Sequence, residues 1–218
     1  MSAVRQAEAW AVDDDDWLVG VKRLRAIAQT GLAYSKDPYD LERYVELQGL
    51  AERMLAALAD TSPGHIHDLY LADRGYPTPK IDVRGGVFHG GRILMVRERT
   101  DGNWALPGGW ADEHEPPRAC MEREVLEESG YVVRVQRLVA VKDRHLHPYK
   151  APTLHRVYKM FFLCELLGGQ PATSIETSAA EFFPLDELPP LSQGRTIVDD
   201  IHLLHAHHLD PGAACDVD

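Results

Sequence analysis

The chain has 218 residues, a formal net charge of −11, 44% hydrophobic residues and 26% charged residues. That length carries one domain with a substantial core plus a smaller module. The acidic balance argues against a protein held on nucleic acid mainly by counterion release, but it leaves a phosphate substrate open, because a bound cation reverses the local field.

In chain order, residues 1–16 end in Asp13–Asp16 and read as an acidic tail. The N-terminal stretch lacks the apolar core of a signal peptide, and no apolar run approaches membrane-spanning length. Cys120, Cys164 and Cys215 are odd in number and widely spaced, so neither a disulfide framework nor a CxxC site follows. A reducing, cytoplasmic setting without membrane attachment is expected. Residues 17–79 read as a helical N-terminal module. Trp17, Leu18, Val21, Leu24 and Ala28 repeat at helical spacing until Gly31 interrupts them. A second helix runs from about Leu41 to Leu58. A third, shorter one lies in SPGHIHDLYLADRGYP, with Ser62 as its cap and Pro63 in its first turn. Three such helices have little core of their own, so packing on the main domain or on a second subunit is expected.

Residues 80–210 form the main domain and 211–218 a C-terminal tail. IDVRGGVF and RILMVRER flank the turn HGGR, a hairpin signal. WALPGGW breaks the next short strand. A helix follows from Pro116 to about Ser129, then strands in YVVRVQRLVAV, HRVYKMFFLCEL and EFFPLDELPPL, and a last helix from about Thr196 to His208. This order predicts an α/β fold, a mixed sheet with helices on both faces.

The central helix carries MEREVLEESGY. Glu124, Glu127 and Glu128 are related by i, i+3 and i+4 and share one face; Glu122 points away and reads as solvated. Carboxylates about 6 Å apart repel by about 1–3 kcal/mol at effective dielectrics of 80 down to 20. Arg123 relieves part of this, and a hard divalent cation with phosphate oxygens would relieve the rest. Gly130 suits the left-handed residue that ends the helix. Gly108 and Gly109, upstream, allow close approach of backbone to metal and phosphate.

Read outward, Gly109, Glu115, Arg123, Glu124, Val125, Glu127, Glu128 and Gly130 stand at the spacing G-x5-E-x7-R-E-U-x-E-E-x-G-U, with U aliphatic. This resembles the Nudix box, and Tyr131 at the final U is its one departure. Chance occurrence in such a chain is on the order of one in a million at average residue usage. The resemblance implies an α/β/α sandwich over about residues 80–208 and hydrolysis of a nucleoside diphosphate linked to a moiety X. It implies that Glu124, Glu127 and Glu128, with the Gly109 carbonyl, hold Mg²⁺ or Mn²⁺. It also implies that Arg123 orients the glutamates and that Glu115 supports the loop–helix geometry. A general base outside the box is expected at Glu181, with Glu176 as second choice and Glu127 or Glu128 as alternatives inside the box.

Arg84 and Arg97, on strands beside this helix, are candidates for phosphate contact, with surface ion pairs as the alternative. Trp110 and Tyr34 are candidates for stacking on a base. His145, His147 and His155 flank a segment that could cover substrate, at no zinc spacing; His202, His205, His207 and His208 read as surface residues. QTGLAYSKDPYDLERY, YPTPKIDVRGGVF, TSIET and EFFPLDELPPLS resemble the Nudix subgroup with a helical N-terminal extension that includes CDP-choline pyrophosphatase. That resemblance implies a homodimer acting on CDP-choline to give CMP and phosphocholine. ADP-ribose or a nucleotide sugar is the alternative nucleotide-derived substrate. A quaternary ammonium would want aromatic or acidic partners, for which Tyr34, Trp110, Asp143 and Tyr149 are available. A non-catalytic nucleotide sensor predicts lost box carboxylates or a basic recognition helix, and an RNA-directed enzyme predicts a basic channel. The intact box and acidic charge favour neither, and no stable nucleic-acid complex is expected.

Overall fold

A computed structural model describes residues 14–70, 75–150, 153 and 155–218. The expected acidic tail therefore lies largely outside the described residues, as do positions 71–74 of the expected third helix and positions 151, 152 and 154 between His147 and His155. The chain divides into two compact units, Met1–Thr78 and Pro79–Asp218. No helix among the described residues is long and apolar enough to cross a membrane.

The first unit is helical: α1 (Asp14–Tyr34), α2 (Pro38–Leu58) and α3 (Pro63–Tyr70). Gly31 does not interrupt α1, contrary to the sequence expectation. A Cβ there would stand 2.4 Å from the Tyr44 ring, so the missing side chain makes room for α2 rather than a break. Asp37 caps α2, accepting from the Tyr39 and Asp40 amides at 2.9 and 3.2 Å. Ser62 caps α3 through the His65 amide at 3.1 Å. The buried Arg25 guanidinium lies 3.4 Å from the Tyr70 ring centroid and bonds Gln29 at 2.7 Å. Gln29 in turn donates to the Gly75 carbonyl at 3.0 Å. Trp17, Tyr34, Tyr39, Val45, Leu50 and Leu58 remain exposed on these helices.

The second unit is a mixed sheet between two helices. Its strands are β1 (Lys80–His89), β2 (Arg92–Glu98), β3 (Trp104–Ala105), β4 (Tyr131–Asp143), β5 (Val157–Gly169), β6 (Thr177–Pro184) and β7 (Asp216–Val217). Their order is β3-β2-β1-β5-β4-β7, with β6 pairing β2. β1 runs parallel to β5, and β4 runs antiparallel to β5. The box helix α4 (Pro117–Ser129) covers one face, where Met121 and Val125 join Val83, Val87, Leu94 and Val96. The last helix α5 (Val198–Leu209) covers the other, where Ile201 and Leu204 join Ile93, Met95 and Phe161. The strand period of two sends alternate residues to these two cores.

The C-terminal residues are more than a tail, since β7 pairs in parallel with β4. His207, read as a surface residue, is buried, with Nε2 3.2 Å from Asp216 Oδ2. Glu122 is also more than solvated: its carboxylate accepts the Val135 amide at 2.8 Å, where β4 bulges. Tyr131 packs edge-on against Phe182 at 5.3 Å between centroids, so the departure from an aliphatic residue adds an aromatic contact.

Gly130 ends α4 at φ 75° and launches β4 directly. A Cβ there would meet the Gln170 carbonyl oxygen at 2.4 Å. Gly130→Ala is therefore expected to destabilise the fold by about 1–3 kcal/mol, through left-handed strain plus a backbone clash. A lower melting temperature than wild type in a thermal denaturation scan checks this, and an unchanged melt contradicts it.

Candidate active site

The site is built on a loop and a helix that share backbone contacts. Residues 107–111 run beside the first half of β1: Val83 N–H donates to the Gly109 carbonyl (2.8 Å), Gly85 N–H to Pro107 (2.9 Å), and Ala111 N–H to Ile81 (2.9 Å). Gly108 sits at φ 136°, and a Cβ there would stand 2.0 Å from the Val83 carbonyl oxygen. Only glycine fits so close an approach. The Gly109 carbonyl, expected as a metal ligand, thus spends one lone pair on β1 and keeps one.

The three box glutamates lie against this loop or against Arg123. Glu128 is buried, and its Oε2 accepts the Gly108 amide at 2.8 Å. Glu124 points Oε2 at Gly109, where a Cβ would come within 3.1 Å of it. Its Oε1 accepts from Arg123 Nη1 at 2.8 Å, and the exposed Glu127 accepts from the same nitrogen at 2.9 Å. Arg123 Nε also bonds both oxygens of Glu115, at 3.1 and 2.9 Å. Burial works against the Arg123 charge, but Glu115, Glu127 and Glu124 outweigh it and hold the guanidinium above the usual arginine range. The arginine is a hub joining the start of the helix to its glutamate face.

Burial pushes the Glu128 carboxyl up to about 8, against the Arg84 charge and the Gly108 amide; Glu98 and Glu124 push the same way. Burial also raises Glu124, against Arg123. Among the described residues, no group of three or more His, Cys, Asp or Glu side chains is arranged to hold a metal ion. The donor chemistry nevertheless fits a hard divalent cation: desolvated carboxylate oxygens at Glu124 and Glu128 beside a glycine backbone, and Glu127 within reach of the same arginine nitrogen.

Of the other expected residues, Arg84 and Trp110 join Gly109 around one cavity of about 250 Å³. Arg84 is buried, donates to Asp82 at 2.8 Å and to the Leu106 carbonyl at 3.0 Å. Arg97 does not reach the cavity. It is exposed and donates to the Gly102 carbonyl at 2.8 Å, closing its own turn. Glu181, the expected general base, lies inside β6. It pairs with Met95, whose side chain is buried against α5, so the strand period turns it away from the box helix. Glu176 immediately precedes β6. The next residue, Thr177, donates its hydroxyl to the Glu128 carbonyl at 2.6 Å; burial raises the Glu98 carboxyl, and the Asp101 and Glu176 charges add to that. Tyr34 belongs to the first unit. Asp143 is taken by Arg156 and the His145 amide, and the Tyr149 hydroxyl by Asp200 at 2.6 Å.

Sequence reasoning missed four polar residues here: Asp82, Glu98, Arg144 and Arg195. Glu98 is buried and paired with Arg195 at 3.2 Å. Arg144 and Arg195 line the same cavity as Arg84. The segment flanked by His145, His147 and His155, expected to cover substrate, is the sequence signal that lies next to Arg144.

A carboxyl that titrates near 8 must lose its proton to ligate a cation. Apparent affinity for Mg²⁺ or Mn²⁺ is therefore expected to rise as pH climbs from 6 to 8, by up to about tenfold per unit, and to flatten above 8. Calorimetric titration across that range checks it; Glu128→Gln should bind more weakly with a shallower slope. Affinity independent of pH in the wild type contradicts the assignment.

Residues 81–201 match the NUDIX domain, and residues 15–70 match a UDP-X-like, N-terminal oligomerisation domain. A protein of Bacillus subtilis (strain 168), provisionally named an ADP-ribose pyrophosphatase, is 46% identical over 188 residues, 86% of this chain and 90% of that protein. The crystal structure of an ADP-ribose pyrophosphatase from Streptococcus suis 89-1591 is 39% identical with a TM-score of 0.60, covering 65% of this chain and 100% of that one. The crystal structure of a UDP-X diphosphatase is 31% identical with a TM-score of 0.60, covering 95% of this chain and 100% of that one. The chain belongs to the Nudix hydrolases and is a Nudix pyrophosphohydrolase.

Proposed function

We propose that this protein hydrolyses the pyrophosphate bond of a nucleoside diphosphate linked to a second moiety, with Mg²⁺ or Mn²⁺ held by Glu124, Glu127 and Glu128. The observation that carries this reading is the convergence of Glu124 and Glu128 on the Gly108–Gly109 backbone. Buried like charges beside an open backbone are costly unless a cation joins them. When bound, the metal supplies charge neutralisation at the pyrophosphate and a more acidic water. The chain's own part is positioning. Arg123 holds the glutamates in register, Gly108 fixes Glu128, and Arg84 presents a guanidinium toward the phosphates from β1. Glu176, the neighbour of Thr177, whose hydroxyl bonds the Glu128 carbonyl, is proposed ahead of Glu181 as the acid outside the box that takes a proton from water.

The names of the relatives support ADP-ribose or a UDP-linked substrate. CDP-choline rests on sequence resemblance alone. The match to an oligomerisation domain, together with the exposed apolar residues of α1 and α2, supports a homodimer formed through the first unit.

The test is a product assay with Mn²⁺ or Mg²⁺ on ADP-ribose, UDP-sugars, CDP-choline and nucleoside triphosphates. Cleavage to a nucleoside monophosphate and a phosphorylated X is expected, abolished by excess EDTA. Glu127→Gln and Glu128→Gln should each lower kcat at least about 100-fold. Glu176→Gln should lower it more than tenfold, and Glu181→Gln less than about threefold. No cleavage of any compound, or full activity in EDTA, overturns the reading.

A further inference from the structure

The cavity beside Gly109 has a chemistry of its own. It measures about 250 Å³, and Asp82, Arg84, Trp110, Arg144 and Arg195 contribute to its wall. Ligand pockets for whole drug-sized molecules start at about 300 Å³, so this one suits a single group rather than a complete nucleotide. Three guanidiniums meet there in a chain whose net charge is −11. They come from separate elements: Arg84 from β1, Arg144 from the 3₁₀ turn after β4, and Arg195 from the segment before α5. Two buried acids and Asp101, 3.9 Å from Arg195, offset part of the charge. Asp82 is bound by Arg84 and by the fully buried Lys159, and Glu98 is bound by Arg195. Arg144 donates to the Lys150 and Gly194 carbonyls at 2.9 and 3.3 Å, which fixes it at the wall. Burial holds its guanidinium below the usual arginine range, against Tyr149 and Asp82.

We propose that this cavity receives the X end of the substrate and selects an X that carries an anionic group, a carboxylate or a phosphate, over one that carries a cation. The proposal rests on the pyrophosphatase reading for where the scissile bond lies. Gly109 belongs both to the cavity wall and to the glutamate site, so the cavity adjoins the place proposed for the scissile bond. A nucleoside is neutral, and the pyrophosphate is common to every substrate of the class. With Arg84 turned to the shared phosphates, charge discrimination falls to Arg144 and Arg195 and acts on X. Guanidiniums pair carboxylate and phosphate through two parallel N–H donors, whereas a quaternary or primary ammonium adds a like charge at close range. Trp110, 57% exposed, gives the wall an aromatic side and covers the non-polar part of X.

UDP-glucuronate, UDP-glucose and UDP-glucosamine share nucleoside, pyrophosphate and ring, and differ in the charge of X. The full chain with Mg²⁺ is mixed with each in a stopped-flow instrument, and tryptophan fluorescence gives dissociation constants before product forms. UDP-glucuronate is expected to bind at least about tenfold tighter than UDP-glucosamine, with UDP-glucose between. Arg144→Gln and Arg195→Gln, on different elements, should each narrow that spread to less than about threefold. Equal affinities, the reverse order, no measurable binding, or equal weakening of all three ligands in both variants would overturn the proposal; the last outcome would give the guanidiniums to the shared pyrophosphate. Product analysis of the same mixtures reads the other claim separately. Absence of UMP in every mixture, with the charge order retained, would count against the pyrophosphatase reading and leave the cavity's selectivity standing.

Discussion

The contact between the Glu128 carboxylate and the Gly108 amide couples the two pieces of chain that make the site. One is the box helix, packed on the sheet by Met121 and Val125. The other is the glycine loop, laced to β1 by three backbone hydrogen bonds. Glu128 is buried, so its oxygen has lost water and the amide compensates for only part of that loss. The raised carboxyl is the physical signature of the remainder. Everything nearby follows from that constraint. Gly108 must lack a Cβ for the loop to lie this close to Val83, Arg123 holds Glu124 and Glu127 on one nitrogen, and the proposed cation would neutralise the assembled charge.

The box was legible because helix geometry is local. Spacings of three and four place Glu124, Glu127 and Glu128 together whatever the rest of the chain does. The sheet was legible through its period of two, and the first-unit helices through theirs. Gly31 misled because its role is tertiary: it clears space for Tyr44, which no local rule reports. Glu181 misled for a related reason. β6 begins at Thr177, so Glu176 falls at its mouth while Glu181 lies inside it, opposite Met95. Where a strand starts decides which of its acids faces which core.

Arg144 and Arg195 were illegible on different grounds. Each sits in an irregular connection, and only the closing of β4, β5 and α5 around β1 brings them to Arg84. Sequence gives the box, the reacting end of the site, with little ambiguity. The end that distinguishes one substrate from another is assembled from loops of distant chain position, which carry no periodic signal. This division explains why the chain's reaction class was readable while X was not.

The central claim is that the box glutamates gather a divalent cation against the glycine loop. Anomalous diffraction from crystals of the full chain soaked in Mn²⁺ tests it most directly. The account predicts a peak within ligand distance of Glu124 and Glu128, beside Gly108 and Gly109, with Glu127 turned from Arg123 toward it. A peak elsewhere, or none at this position in crystals that cleave their substrate, would contradict it.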